Sequence, residues 1–287
     1  MKKILRFFPA IRVHSWGGFG SQLFTAYVVL KLQRKFPNRR IKVVIHTSGV
    51  TRRISEFDFE TLGVKMVQVE DYKGAEVRDS LHKAHPLYSR RIITLIREIL
   101  SHALKWLRLV QNANTDLSFS LISLWTFSLR GHYTRLTLDE SIVEALHHAI
   151  FLNKSNFIME TNNLVVHYRL GDLLSLDEKQ PIDFHRVEGI LKTLKVHSKH
   201  SVVLSDSEDE DLAEFLKESE ILKFSKTSNY DPNMTLRLCI GAEKFVGTGS
   251  KISLWAAVFR YFVHGKLSSL PVELIWASRS GLKANWY

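Results

Sequence analysis

Apolar and polar positions alternate along the chain, and their period changes between that of a strand and that of a helix. Residues 11–13 have the character of a strand and lead into a glycine-rich turn, and residues 23–36 have helical periodicity until Pro37. A compact apolar strand follows at 41–45. Strand, helix and strand in this order predict the start of a parallel α/β sheet.

The second half of the chain repeats this alternation. Its predicted strands lie at 164–167, 201–204 and 244–246, and its predicted helices at 141–151, 187–194, 209–218, 234–240 and 252–262. We therefore predict an α/β fold with two doubly wound, Rossmann-like domains that face each other across a cleft. The predicted domains span 1–155 and 156–265, and a tail over 266–287 can return to the first domain.

The clearest amphipathic pattern lies at residues 90–110. Its apolar positions follow spacings of three and four: Ile92, Ile96, Ile99, Ala103, Trp106 and Val110. A helix packed on the core is the more common cause of such a pattern. The alternative is a basic helix on an anionic membrane, supported by Arg90, Arg91 and the interfacial preference of tryptophan.

Composition places the chain among globular proteins. Its 287 residues are 45% hydrophobic and 24% charged, which is enough for two domains with their own cores. The single cysteine, Cys239, excludes an intramolecular disulfide and a cysteine-based zinc site, and it agrees with a reducing cytoplasm.

The net charge of +11 is unusual and predicts anionic partners, such as nucleotide phosphates, nucleic acid or an acidic membrane. Neither zinc-finger spacing nor a ribonucleoprotein signature is present, so we expect no nucleic-acid partner. No apolar stretch is long enough to span a bilayer. We expect a cytoplasmic protein, with peripheral contact to the inner face of the membrane as an option.

The segment His167-Tyr168-Arg169-Leu170-Gly171-Asp172 ends the apolar strand at 164–167. Ligands of open α/β sheets bind beyond the carboxyl ends of the strands. His167 and Arg169 are two residues apart and share a face at strand period, so together they can hold a diphosphate. An ion pair between Arg169 and Asp172, with no ligand, explains the same residues.

Two glycine-rich turns precede predicted helices. Gly17-Gly18-Phe19-Gly20 lacks the spacing of a dinucleotide fingerprint, although its helix start can receive an anion and Ser21 can cap it. Gly247-Thr248-Gly249-Ser250-Lys251 lacks the Gly-Lys-Ser/Thr order of a P-loop. It remains a candidate phosphate cradle with Ser250 and Lys251 as donors, while capping by Ser250 alone also explains it.

Two further expectations concern the remaining polar residues. Asp206 follows the strand at 201–204, where it can contact a ribose or a base, or cap the next helix. The thirteen histidines show no metal-ligand spacing, so we predict neither a metal site nor a cofactor.

Five segments together resemble the motifs of the bacterial α-1,2-fucosyltransferase family, in the same order along the chain. The segment from Gly17 to Phe24 is similar to G-G-L-G-N-Q-L/M-F. The other four are Gly131-His132-Tyr133 (G-Y-F/W-Q), His167 to Asp172 (H-x-R-R-G-D), Ser205-Asp206 (F-S-D) and Gly249 to Ala257 (N-S-S-F-S-W-W-A-A).

The resemblance implies a GT-B fold with a nucleotide-sugar donor in the C-terminal domain and no required metal. Arg169 would bind the donor diphosphate and stabilise the departing nucleotide, with His167 and Asp172 beside it as catalytic residues. The remaining donor-binding residues would be Gly17, Gly18, Gly20, Gln22, Asp206, Ser250, Lys251 and Ser253. His14 and Tyr133 would lie on the acceptor side.

The chain departs from the family's motifs at three points. Leu170 replaces the second arginine, Ser21 replaces the asparagine of the opening motif, and Gly249-Ser250-Lys251 replaces Asn-Ser-Ser. A leucine cannot make the polar contacts of a guanidinium, so the donor can differ from GDP-fucose. Lys251 can partly offset the lost charge.

We therefore expect a metal-independent, inverting glycosyltransferase of bacterial surface polysaccharide synthesis, acting on a glycan or lipid-linked acceptor. The donor sugar would be L-fucose from GDP-fucose in an α-1,2 linkage. The alternatives are another nucleotide-sugar donor, or a non-enzymatic basic protein that binds membrane or nucleic acid. An inverting reaction needs a general base, for which His14, Asp172, Glu56 and Asp58 are candidates.

Overall fold

The protein is described here by a computed structural model. It describes residues 9–47, 55–69, 103–104, 106–151, 163–170, 181–194, 201–207, 212–213, 216–217, 222, 226–228 and 231–287. The chain divides into two compact units, Met1–Thr137 and Leu138–Tyr287. We refer to them as unit 1 and unit 2.

Unit 1 contains a parallel sheet of five strands. Their bounds are Ile11–Trp16 (β1), Ile41–His46 (β2), Lys65–Val69 (β3), Val110–Asn112 (β4) and Ser128–Arg130 (β5). The strand order is β3-β2-β1-β5-β4. The helices are Phe19–Lys35 (α1) and Asp116–Ser120 (α2), with a 3-10 helix at Phe59–Leu62.

The strand β1 shows why this sheet forms. Ile11, Val13 and Ser15 are buried, while Arg12 is exposed, as expected for a strand with one face against a helix. The hydroxyl of Thr25 in α1 donates a hydrogen bond to Ser15 Oγ over 2.8 Å, so α1 covers the face of Ser15.

Unit 2 contains a parallel sheet of six strands. They are Leu164–His167 (β6), Ser201–Leu204 (β7), Lys226–Ser228 (β8), Lys244–Gly247 (β9), Ser269–Leu270 (β10) and Asn285–Trp286 (β11). The helices are Glu140–Phe151 (α3), Phe184–Thr193 (α4), Pro232–Gly241 (α5) and Lys251–Phe262 (α6), with a 3-10 helix at Val272–Ser280.

The strand order of unit 2 is β11-β10-β9-β6-β7-β8. Counted within the unit and read from the β8 edge, this is the order 3-2-1-4-5-6 of a Rossmann sheet. The order reverses between β6 and β9, which pair directly, with His167 opposite Gly247. Such a switch point opens a crevice at the carboxyl ends of the two strands, where ligands of these folds bind.

The core of unit 2 fixes the direction of the chain beyond β6. Leu164, Val166, Tyr168 and Leu170 belong to one apolar cluster with residues of α4, so the strand's alternation continues past its last residue. Val165, His167 and Arg169 alternate with them. The motif residues His167 and Arg169 therefore fall on the side opposite α4.

A second buried feature of unit 2 is the guanidinium of Arg260 in α6. It is fully buried and donates hydrogen bonds to the carbonyl oxygens of Ile240 and Ala242 at the end of α5, and to Ser268 Oγ. A cation at a helix C-terminus is favourable because the carbonyl groups there carry partial negative charge. Arg260 thus joins α6 to the end of α5.

The prediction of two Rossmann-like α/β domains is confirmed, and most predicted elements differ from the observed ones by a few residues at their ends. The observed units divide after Thr137 instead of after residue 155, so α3 belongs to unit 2. The predicted tail at 266–287 contributes β10 and β11 to the sheet of unit 2.

The predicted helix at 90–110 lies mostly outside the described residues. Its described end differs from the prediction, because residues 107–109 form a turn and Val110 begins β4. Arg108 has a positive φ of 56° in this turn, a backbone conformation that ends a helix. No helix among the described residues is long and apolar enough to cross a membrane.

Candidate functional site

The carboxyl ends of three adjacent strands of unit 2 carry three of the five motif segments. His167 ends β6 and pairs with Leu204 of β7 on one side and with Gly247 of β9 on the other. The residues after these strands, 168–170, 205–207 and 248–250, therefore meet at one edge of the sheet. This edge includes the switch point.

His167 is the buried centre of this edge. Its Nδ1 lies 2.7 Å from Ser253 Oγ and 3.3 Å from Ser250 Oγ. Burial lowers the pKa of His167 to about 4, although the nearby Asp206 raises it. The imidazole is therefore neutral at pH 7, and it orients the two serines of the following loop and helix.

The chain after His167 is held through its backbone. Thr248 Oγ1 accepts a hydrogen bond from the N–H of Arg169 over 2.9 Å and donates one to the carbonyl of His167. Asp206 Oδ1 accepts a hydrogen bond from the N–H of Leu170 over 2.9 Å. Two neighbouring loops thus fix the backbone of Arg169, whose side chain stays half-buried at the edge.

The start of α6 closes the same edge. Ser250 is its N-cap, and Ser250 Oγ accepts the N–H of Ser253 over 2.9 Å. A Cβ atom on Gly247 would lie 2.6 Å from Cβ of Ser253, so a glycine is required where the helix approaches the end of β9. The first turn of α6 has no acidic residue, and it begins with the half-buried Lys251.

The corresponding turn of unit 1 is tied down differently. Gly17 has a φ of +92°, and Gly18, rather than Ser21, is the N-cap of α1. The carboxylate of Glu56 accepts the N–H of Phe19, the first residue of α1. The helix start that was predicted to receive an anion therefore already holds a carboxylate of the same unit.

Gln22 connects this turn to the loop of Glu56. Its side chain is fully buried, and Oε1 accepts the N–H groups of Glu56 and Phe57, each over 2.9 Å. Its Nε2 donates to the carbonyl of Gly17 over 3.3 Å. Gln22 thus positions the glycine turn, while Gly20 is buried inside α1.

His14 lies in the middle of β1 and contacts side chains of both neighbouring strands. Its Nδ1 is 2.8 Å from His46 Nε2, and its Nε2 is 3.2 Å from Ser128 Oγ. Burial, with smaller contributions from His46, Arg130 and Arg12, lowers the pKa of His14 to about 4. The indole of Trp16 stacks on His46 at 4.5 Å between ring centroids.

This histidine pair lines a cavity of about 350 Å³ on one face of the unit 1 sheet. The remaining walls are Arg12, Lys42, Val44, Val67 and Val69. Tyr133, predicted on the acceptor side, is itself buried, and its hydroxyl donates to the carbonyls of His14 and Leu129. Burial raises the pKa of Tyr133. Its two hydrogen bonds join β1 to β5 inside unit 1.

The other predicted residues are less informative. Asp172 lies outside the described residues. Asp58 accepts the N–H of Glu60 and caps the 3-10 helix. In the part of the chain that the structure describes, no group of three histidine, cysteine, aspartate or glutamate residues could hold a metal ion.

Sequence reasoning missed two residues that the geometry identifies. Thr248 was quoted within its glycine turn but received no role, and only the pairing of β6 with β9 brings it to Arg169. Tyr287 donates its hydroxyl to the carbonyl of Gly247 over 3.0 Å. No local pattern could indicate this contact, because it depends on the position of β11 in the sheet.

Comparisons with known proteins give only distant likenesses. No protein-family model matches the chain, and no curated protein matches it in sequence. Among solved structures it is similar to a glycosyl transferase family 9 protein from Veillonella parvula, with 11% identity, a TM-score of 0.41 and coverage of 92% of this chain and 81% of the other.

Two further structures are similar at the same level. Heptosyltransferase WaaC of E. coli with ADP has 10% identity and a TM-score of 0.46, and the match covers 96% of this chain and 92% of the other. A putative UDP-N-acetylglucosamine 2-epimerase from Listeria monocytogenes has 12% identity and a TM-score of 0.44, with coverage of 91% and 79%. None of these three is a fucosyltransferase, and such scores assign the chain to no family.

Proposed function

We propose that the protein is a glycosyltransferase that binds the diphosphate of a nucleotide-sugar donor at the carboxyl edge of the unit 2 sheet. The observation that carries the proposal is the placement of Arg169. Thr248 binds the backbone N–H of Arg169, and Asp206 binds that of the next residue, Leu170. The side chain of Arg169 is half-buried at the edge that contains the switch point of the Rossmann sheet. A fixed guanidinium suits a diphosphate because it donates two parallel hydrogen bonds.

Arg169 would act on the leaving group. Glycosyl transfer leaves negative charge on the nucleotide, and a preorganised cation stabilises the transition state when no metal ion does so. Lys251 and the first turn of α6 add positive potential at the same edge, since an N-terminal turn carries partial positive charge.

His167 is a positioning residue in this proposal. It is buried and neutral, and it holds Ser250 and Ser253, which shape the start of α6. Asp206 is exposed, and one of its carboxylate oxygens accepts the N–H of Leu170, so the proposal places the nucleoside beside Asp206 at this edge. We keep Asp172 as a proposed catalytic residue beside Arg169, and its support is the motif resemblance alone.

The finer assignment is transfer of L-fucose from GDP-fucose, in an α-1,2 linkage with inversion, to a glycan of a bacterial surface polysaccharide. Its support is the motif resemblance, whose five segments all lie at carboxyl ends of strands: β1 and β5 in unit 1, and β6, β7 and β9 in unit 2. Leu170 weakens the assignment to GDP-fucose, because its side chain is fully buried in the apolar cluster and leaves no second guanidinium.

The general base of this proposal is Glu56. His14 lies in mid-strand with both ring nitrogens near hydrogen-bond partners, and Asp58 caps a helix. Glu56 lies at the carboxyl end of β1, where Gln22 fixes its backbone and Phe19 holds one carboxylate oxygen. A carboxylate in this position can accept the proton of an acceptor hydroxyl.

The decisive experiment measures binding of GDP, UDP, ADP and CDP by titration calorimetry, followed by turnover of the matching nucleotide sugars. We expect one diphosphate, GDP first, to bind, and Arg169→Ala to weaken it by about 10- to 100-fold through the loss of a charge-assisted contact. The matched control is Arg279→Ala, an exposed arginine at the end of a 3-10 helix of unit 2.

Equal affinity in both variants would disprove the diphosphate site. Binding of UDP or ADP in place of GDP would retain the transferase and reject GDP-fucose as the donor. If no nucleotide binds at all, the non-enzymatic alternative replaces the proposal.

A further inference from the structure

Unit 1 exposes two tryptophans at the edge opposite its glycine turn. The side chains of Trp106 and Trp125 are 84% and 65% exposed, and Leu107 and Leu124 beside them are also exposed. These residues precede β4 and β5, so they lie at the amino-terminal edge of the sheet. We call Trp106, Leu107, Leu124 and Trp125 the apolar tip.

Hydrogen bonds show that the two halves of the apolar tip are neighbours. Thr126 Oγ1 donates to the carbonyl of Arg108 over 2.7 Å, and the N–H of Phe127 donates to the carbonyl of Leu109 over 2.9 Å. The loop of Trp125 therefore runs beside the turn of Leu107. The four exposed apolar side chains therefore belong to two adjacent chain segments.

The same edge of the unit 1 sheet also exposes cations. They include Arg34 near the end of α1, Arg40 and Lys42 at the start of β2, and Arg108 before β4. The described loops directly before β1, β2, β4 and β5 contain no aspartate or glutamate, whereas Asp58 and Glu60 precede the strand β3. This edge thus combines exposed apolar side chains with positive charge.

A small cavity joins the two features. It measures about 220 Å³ and is lined by Arg12, Arg40 and Lys42, together with Phe127 and the chain at 9–10. Phe127 is two residues from Trp125. The cavity therefore brings three cations to Phe127, close along the chain to the apolar tip, and its volume is large enough for a phosphate group.

We propose that the amino-terminal edge of unit 1 binds an anionic phospholipid membrane. Tryptophan prefers the boundary between headgroups and acyl chains, leucine enters the acyl region, and arginine and lysine pair with lipid phosphates. Single-stranded nucleic acid also binds aromatic and basic surfaces, but through stacking on aromatic faces, to which the two leucines contribute nothing.

The surface differs from the helix at 90–110 that the sequence predicted for this purpose. It combines the helical residue Trp106 and the turn at Leu107 with the loop of Leu124 and Trp125, and Trp106 is its one residue from that segment's apolar stripe. It also leaves the carboxyl edge of unit 1, with Gly17 and Glu56, free for an acceptor. The inference stands without the proposed transferase activity.

The test is cosedimentation of the full chain with vesicles of phosphatidylcholine, with or without phosphatidylglycerol. We expect binding to the mixed vesicles only, weakening with added salt because screening shortens the reach of the charges. Trp106→Ser combined with Trp125→Ser should lower the partition coefficient by about tenfold per tryptophan. Arg40→Glu should lower it by about fivefold or more, from the loss of one cation near the surface.

The matched control is Val272→Ser combined with Ile275→Ser, which removes two exposed apolar side chains of unit 2. It should bind vesicles as the wild type does. Circular dichroism verifies that all variants fold, which we expect because every replaced side chain is exposed. Wild-type binding by the double tryptophan variant, or tighter binding to a single-stranded oligonucleotide than to mixed vesicles, would overturn the proposal.

Discussion

The two helix starts at the carboxyl edges, α1 in unit 1 and α6 in unit 2, follow similar glycine turns but have opposite electrostatic character. The first N–H of α1 is bound by the carboxylate of Glu56. The start of α6 is capped by the neutral hydroxyl of Ser250 and followed by Lys251. The start of α6 therefore favours a phosphate more than the start of α1 does, because a fixed negative charge already lies at α1.

The two central histidines have similar pKa values but different surroundings. Burial lowers the pKa of both His14 and His167 to about 4. His167 is enclosed and orients two serines, whereas His14 lines a cavity. The edge of unit 2 is therefore closed by hydrogen bonds around His167, whereas the sheet face of unit 1 opens into a cavity at His14.

The strongest way to test this comparison is Glu56→Gln. If the carboxylate serves as general base, turnover should fall by about 10²- to 10⁴-fold, because proton transfer is lost from the transition state. The donor KM should change little, since the diphosphate is proposed to bind unit 2. The glutamine keeps an oxygen that accepts the N–H of Phe19, so folding is preserved.

Asp58→Asn is the control for Glu56→Gln, since Asp58 caps a helix two residues further along the same loop. A drop in turnover of less than about fivefold in Glu56→Gln would show that Glu56 only neutralises the start of α1. That interaction contributes about 1 kcal/mol or less to stability. The measurement is steady-state turnover with a saturating donor.

The second prediction concerns stability below neutral pH. The unfolded His167 takes up a proton below pH 6.5, while the folded one resists protonation until about pH 4. The unfolded state therefore binds more protons in this window, and stability falls as the pH drops from about 6.5 to 4. The loss attributable to His167 is on the order of 3 kcal/mol.

Urea unfolding at several pH values measures this loss. His167→Gln should flatten the pH dependence, and the exposed His185→Gln in α4 should leave it as in the wild type. His14 and His147, whose pKa values are also lowered to about 4, contribute in the same direction and remain in both variants. Parallel curves for the wild type and His167→Gln would contradict the buried, neutral state of His167.

The buried strands of unit 2 could be predicted from the sequence, whereas the contacts between their ends could not. Strands β6 and β7 were predicted to the residue, because continuous apolar runs of β-branched residues mark fully buried strands. The convergence of Arg169, Thr248 and Asp206 required the strand order, which no local period encodes.

Contacts between residues that are distant in sequence were the hardest to predict. Gln22 and Tyr133 belong to recognisable motif segments, yet their side chains are buried and hydrogen-bonded to the backbone of other loops and strands. Ser250 and Ser253 stay predicted phosphate donors, and the contact of both hydroxyls with His167 was not predicted. A motif identifies residue types near a site, whereas burial decides which of them can face a ligand.

The smallest expected effect compares two cations at the two edges. Lys251→Gln should weaken binding of the nucleotide diphosphate by about two- to fivefold, because a partly exposed charge at a helix start contributes about 0.3–1 kcal/mol. Arg130→Gln, at the exposed end of β5 in unit 1, should leave this binding unchanged. Calorimetric titrations at low and high salt resolve the difference, since screening reduces the contribution of Lys251. A larger loss in Arg130→Gln than in Lys251→Gln would move the diphosphate to unit 1 and reverse the comparison of the two edges.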